Sequence, residues 1–145
     1  MKKLLFLSIV FLSAVVIKAQ KYDSWKVFHN RKEEASFNLK KETDDERRVV
    51  LLNRNLDYPG FFVIEYTPSK NQADWIRSIA FYDSSDRLLR QFDNTLFLRV
   101  INSEMTSIMD GKQKVRVYSW AVPKDPALAA TVRARRILLC TLYTL

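Results

Sequence analysis

The chain has 145 residues, 48% of them hydrophobic and 28% charged, with a formal net charge of +8. One histidine and one cysteine are too few for a zinc site, and two glycines exclude a glycine-rich phosphate loop. A single cysteine also excludes a disulfide framework, so the fold has to be held by burial.

The chain starts MKKLLFLSIVFLSAVVIKAQ. Lys2 and Lys3 give a basic start, 4–17 is an apolar run, and Ala19 is a small residue before Gln20. That is the pattern of a secretory signal peptide. A spanning helix needs about 20 apolar residues, and Lys18 closes this run sooner. The expected division is a signal peptide over 1–19 and one domain over 20–145. The product is expected to be secreted or periplasmic, and not membrane-spanning after signal cleavage. Three of the 24 Lys+Arg lie in the leader, leaving 21 against 16 acids, a net of about +5. Export and this modest charge argue against nucleic acid as a partner.

Beyond the leader, short runs rich in β-branched and aromatic residues alternate with polar turns. They predict strands at 24–28, 36–39, 48–53, 61–67, 76–82, 88–92, 96–101, 114–122 and 132–142. The polar run KKETDDERR at 40–48 reads as a solvated loop. Tyr58-Pro59-Gly60-Phe61 has the residues of a type II turn. Phe61-Phe62-Val63-Ile64 is apolar on both faces, as in a central strand covered on both sides. Asp83-Ser84-Ser85-Asp86 predicts a hairpin loop. In 101–109, Ile101, Met105 and Ile108 also fit a helical stripe, but the Asp110-Gly111 pair that follows is a hairpin signal and favours strand. Val115, Val117 and Ser119 alternate with Arg116, Tyr118 and Trp120. Asp125-Pro126 is a helix start, and Ala127-Leu128-Ala129-Ala130 suit one helical turn. The predicted fold is all-β: a single β-sandwich, immunoglobulin-like or related, with one short helical turn near the C-terminus.

The last strand raises a question, because Arg133, Arg135 and Arg136 interrupt it. Arg133 and Arg135 share one face, and Val132, Ala134 and Arg136 the other. The run Ile137-Leu138-Leu139 then breaks the parity, which a β-bulge at Arg135-Arg136 would explain. In structural terms these arginines are a wet stripe paired with local acids such as Asp125. In functional terms they form an anion site, to which Arg116 adds a fourth guanidinium if its strand pairs with this one.

The stretches VRVYSWAVPKDPALAATVRARRILLCTL, SAVVIKAQ and IRSIAFYDSSDRLLRQF carry a resemblance. They are similar to a family of small exported β-rich proteins of Bacteroidota with no characterised activity. The resemblance implies export and a β-sandwich, and it implies no reaction.

Catalytic groups are scarce. A nucleophilic triad would have to use His29, which in KVFHNRKEE reads as a surface residue at a strand end. Cys140, among Leu138, Leu139 and Leu142, reads as buried. Glu65 in FFVIEYT reads as a buried or half-buried acid paired with an arginine. Asp83 with Asp86, or Asp44 with Asp45 and Glu46, offer oxygens but match no calcium loop. Trp25, Trp75 and Trp120 remain as contact residues. Trp75, after the polar run SKNQAD, is the expected exposed one, and Trp120 is expected in the core. The sequence thus predicts a non-enzymatic binding module without metal or cofactor. Its contact residues are Arg116, Arg133, Arg135, Arg136 and Trp75, and its partner is an envelope or extracellular protein or an anionic ligand. The alternatives are a carbohydrate-binding module using Trp75 and a structural component of an envelope assembly that adds strands at an open sheet edge.

Overall fold

A computed structural model describes residues 20–40, 48–52 and 55–144. The expected signal peptide and the interior of the polar run at 40–48 lie outside the described residues, as does residue 53 of the third predicted strand. Among the described residues there are nine strands. They are β1 (Ser24–His29), β2 (Lys32–Asn38), β3 (Val49–Leu52), β4 (Phe61–Thr67), β5 (Trp75–Tyr82), β6 (Leu88–Phe92), β7 (Phe97–Ile101), β8 (Lys114–Pro123) and β9 (Ile137–Thr144). Helix α1 (Asn102–Met109) precedes β8, and the short helix α2 (Pro126–Ala129) precedes β9.

The strands form two sheets, ordered β2-β1-β4-β7 and β3-β9-β8-β5-β6. Alternation decides what lies between them. Trp25 and Val27 of β1, Phe62 and Ile64 of β4, and Leu98 and Val100 of β7 point inward from one sheet. Ile79 and Phe81 of β5, Val115 and Val117 of β8, and Leu142 of β9 meet them from the other. The Phe62 and Phe81 rings touch edge-on across the interface at 6.1 Å. This is the all-β sandwich the sequence predicts. Strand β3 joins the five-stranded sheet parallel to β9 at one edge.

The bulge in β9 lies further on than the arginines suggest. Val117 pairs with Cys140 and Tyr118 with Leu138, so Leu139 is the extra residue. Residues 132–136 are not strand. The Leu139 carbonyl accepts a hydrogen bond from the Trp25 indole N–H across the sandwich at 2.8 Å. Beside it, the buried Arg48 guanidinium donates to the Leu138 carbonyl at 2.7 Å.

Other expectations need correction. Residues 102–109 are helix, because Asn102, Met105, Ile108 and Met109 form a buried stripe at helical spacing. The Asp110-Gly111 pair ends this helix rather than turning a hairpin, with Gly111 at a φ of 64°. Gly60 does not adopt the positive φ of a type II turn. It is needed because a Cβ there would overlap the Asn30 amide, which accepts a hydrogen bond from Asn102 Nδ2 at 3.0 Å. His29 is buried, since it continues the inward alternation of Trp25 and Val27, and its Nε2 has no hydrogen-bond partner. Glu65 points outward from β4 and is exposed.

Candidate functional site

Arg133, Arg135 and Arg136 do not lie on a strand, since residues 132–136 are irregular. Arg133 and Arg135 are exposed in the irregular segment before β9. Arg116 and Arg136 do converge, on the outer face of the five-stranded sheet. Arg136 reaches Asp86 at 3.0 Å and lies over the Tyr118 and Tyr82 rings at 4.6 and 5.0 Å. The hydrogen bond to Asp86 strengthens its hold on its proton. Arg116 donates to the Ser84 carbonyl at 3.2 Å. This pair therefore fastens the β5–β6 hairpin loop to the sheet. The Asp125 carboxylate caps α2, accepting from the Ala127 N–H at 2.9 Å. Trp120 is half-buried on this same outer face, not in the core, because Ser119 takes the inward position.

Trp75 is 38% exposed, as predicted, and it lines a cleft of about 470 Å³. The cleft lies where β5 begins and the chain enters β7. Thr95 fixes that junction, its N–H donating to the Arg77 carbonyl at 3.0 Å. Trp75, Leu96 and Phe97 supply apolar wall, Gln72 and Asn94 supply amides, and Arg77 and Lys124 supply charge. None of the lining residues is a carboxylate.

Arg77 is the residue that sequence reasoning missed. It is 5% exposed and shares the inward face of β5 with Ile79 and Phe81. It donates to Gln72 Oε1 at 3.1 and 3.0 Å and to Ser119 Oγ at 2.9 Å, and its guanidinium stacks 4.0 Å above the Tyr66 ring. The facing carboxylate, Asp23, stands 3.9 Å away. Asp23 is already engaged by the Tyr66 hydroxyl at 2.5 Å, the Ser69 N–H at 2.7 Å and the Ser69 hydroxyl at 2.8 Å. The signal was available: counting back by twos from Phe81 and Ile79 lands on Arg77.

The second feature is β7 itself. It is the last strand of its sheet, and among the described residues no strand pairs with its outer side, where the Phe97 carbonyl accepts from the Thr95 hydroxyl at 2.7 Å. Its outward side chains are Phe97, 55% exposed, Arg99, and Ile101, 50% exposed. The Tyr66 N–H donates to the Leu96 carbonyl and the Asn102 N–H to the Gly60 carbonyl. This register turns the backbone groups of Phe97, Arg99 and Ile101 toward the open edge. Phe61 and Val63, outward on β4, are only half-buried, so the central strand is covered on one face rather than two. With Phe28, Arg31, Glu65 and Arg99 they line a groove of about 280 Å³, which Phe97 closes. Phe97 is thus a shared wall of the cleft and the groove.

For metals the result is negative among the described residues, where no three His, Cys, Asp or Glu side chains come together. Asp83 is used by its own hairpin, accepting from the Ser85 and Arg87 N–H groups at 2.9 and 3.0 Å. Cys140 is fully buried, and burial pushes its thiol well above the usual range. No helix among the described residues is long and apolar enough to cross a membrane. Neither the protein-family models nor the curated proteins compared with this chain match it.

Proposed function

We propose that this chain is an exported, non-enzymatic interaction module that takes an extended segment of a partner protein onto the open edge of β7. Phe97 carries the reading: a large aromatic, more than half exposed, stands on an unpaired edge strand between two grooves. Natural sheets protect open edges with charge, proline, bulges or covering loops. An edge that keeps Phe97 and Ile101 in solvent departs from that rule, and strand addition is the recognition mode it suits. The arginine reading is second, because Arg136 and Arg116 already have partners within the hairpin. The carbohydrate reading rests on Trp75 and its amide neighbours.

Amide hydrogen exchange of the full exported chain, alone and with a partner captured from its native envelope, separates these readings. Slowed exchange at the Phe97, Arg99 and Ile101 amides, in a complex that survives high salt, is the expected result. Protection confined to 132–136 and lost in high salt would instead place the contact on the arginines. Quenching of Trp75 by a soluble glycan, with those amides unchanged, would favour the carbohydrate alternative.

A further inference from the structure

Resting on that reading, we infer that the cleft at the start of β7 holds the free C-terminal carboxylate of the partner segment. The cleft has two cations and no carboxylate among its lining residues. Arg77 makes its three hydrogen bonds to neutral side-chain oxygens, and the Asp23 carboxylate opposite it is already taken by three other donors. Both arms of the Arg77 fork rest on one neutral oxygen, Gln72 Oε1, and its one ion pair, to Asp23, is long at 3.9 Å, so an incoming carboxylate takes the place of the Gln72 amide on that fork. Lys124 adds an exposed second charge beside it. Trp75, Leu96 and Phe97 give the same cleft an apolar wall, so the ligand is an anion joined to an apolar body.

Direction follows from position. The cleft lies at the N-terminal end of β7, so an antiparallel strand places its own C-terminus there. Antiparallel pairing is also the more stable arrangement per residue. With the last residue opposite Phe97, the residue two places earlier faces Arg99 and the one four places earlier faces Ile101. Cross-strand pairing then asks for an apolar final residue, an acid two before it and an apolar residue two before that. The same register excludes a second copy of this edge as the occupant. If Phe97 of one β7 faced Ile101 of another, Arg99 would face Arg99, a like-charge pair that opposes association.

Two arrays of seven-residue peptides of identical random sequences, one with free C-termini and one amidated, test this on the full exported chain. Free-acid binders with the apolar–acid–apolar spacing are expected, each losing about tenfold or more when amidated. Lys124→Ala should weaken the free acids several-fold and leave the amidated peptides unchanged. Phe97→Lys should abolish both. If acid and amide bind equally and Phe97→Lys still removes them, the carboxylate inference is wrong and the edge reading stands. Binders indifferent to Phe97→Lys, or no binders in either array, overturn both.

Discussion

Asp23 is where three hydrogen-bond donors and a guanidinium meet inside the sandwich. Burial alone would raise its carboxyl. The Ser69 N–H, the Tyr66 and Ser69 hydroxyls and the Arg77 charge outweigh that and hold it below 3.8. A carboxyl depressed by folding stabilises the protein above its unfolded pKa, and the contribution is lost as pH falls through the folded value. Urea unfolding should therefore show this contribution intact at neutral pH and draining away below pH 3.8. Asp23→Asn should cost about 1–3 kcal/mol at neutral pH, since it leaves Arg77 facing a neutral amide, and it should flatten the acid limb. An acid limb as steep in the variant as in the parent would show that Asp23 is not its source. The same network explains why the candidate cleft was only half legible. Trp75 announces itself by its polar neighbours. Arg77 sits in IRSIAF, where a charged residue reads as outward until the alternation is counted. The convergence of Arg77 with Lys124 and Phe97 depends on two sheets meeting, which no local pattern encodes.

At the scale of elements, the bulge in β9 shows how one sheet is fastened to the other. The extra residue takes Leu139 out of the ladder, and the Trp25 indole N–H satisfies its carbonyl from the opposite sheet. Trp25→Phe keeps most of the apolar volume but leaves that carbonyl without its donor, and should cost about 1–3 kcal/mol by denaturant unfolding. A loss under 0.5 kcal/mol would show that the bulge stands without the bond. Strands such as β4 and β6 were legible to the residue, because short runs of apolar and aromatic residues flanked by turn residues are local signals. The misreadings occurred where two local signals conflict. The Asp-Gly pair after α1 serves a helix end as well as a hairpin. His29 lies among polar neighbours, yet the parity of Trp25 and Val27 carries it inward. Residues 132–136 alternate like a strand, but the chain joins the sheet only at Ile137.

The whole molecule has no covalent staple, and its lone thiol is sealed in the core. Reductant should leave the melting temperature unchanged. A thiol-reactive dye should label native protein only as fast as it unfolds, and faster labelling would mean that the core around Cys140 opens locally. The sandwich has four edges, and three are defended. β2 carries Lys32, Glu33 and Glu34, β3 is four residues long, and β6 sends Arg90 to Glu104 on α1 at 2.9 Å. β7 has one charge, Arg99, set between the exposed Phe97 and Ile101, and these two apolar side chains separate two explanations for it. If Phe97 and Ile101 are there to hold the fold, replacing both with lysine will destabilise it as core substitutions do. If they are there to be contacted, the double variant will unfold within about 0.5 kcal/mol of the parent, as exposed substitutions do. Their inward neighbours set the scale, since Leu98→Ala should cost about 2–5 kcal/mol. The expected outcome is a near-neutral Phe97/Ile101 variant that no longer holds its partner. A double variant that loses 2 kcal/mol or more would make these residues part of the core's cover, and the open edge would then have no binding role to explain.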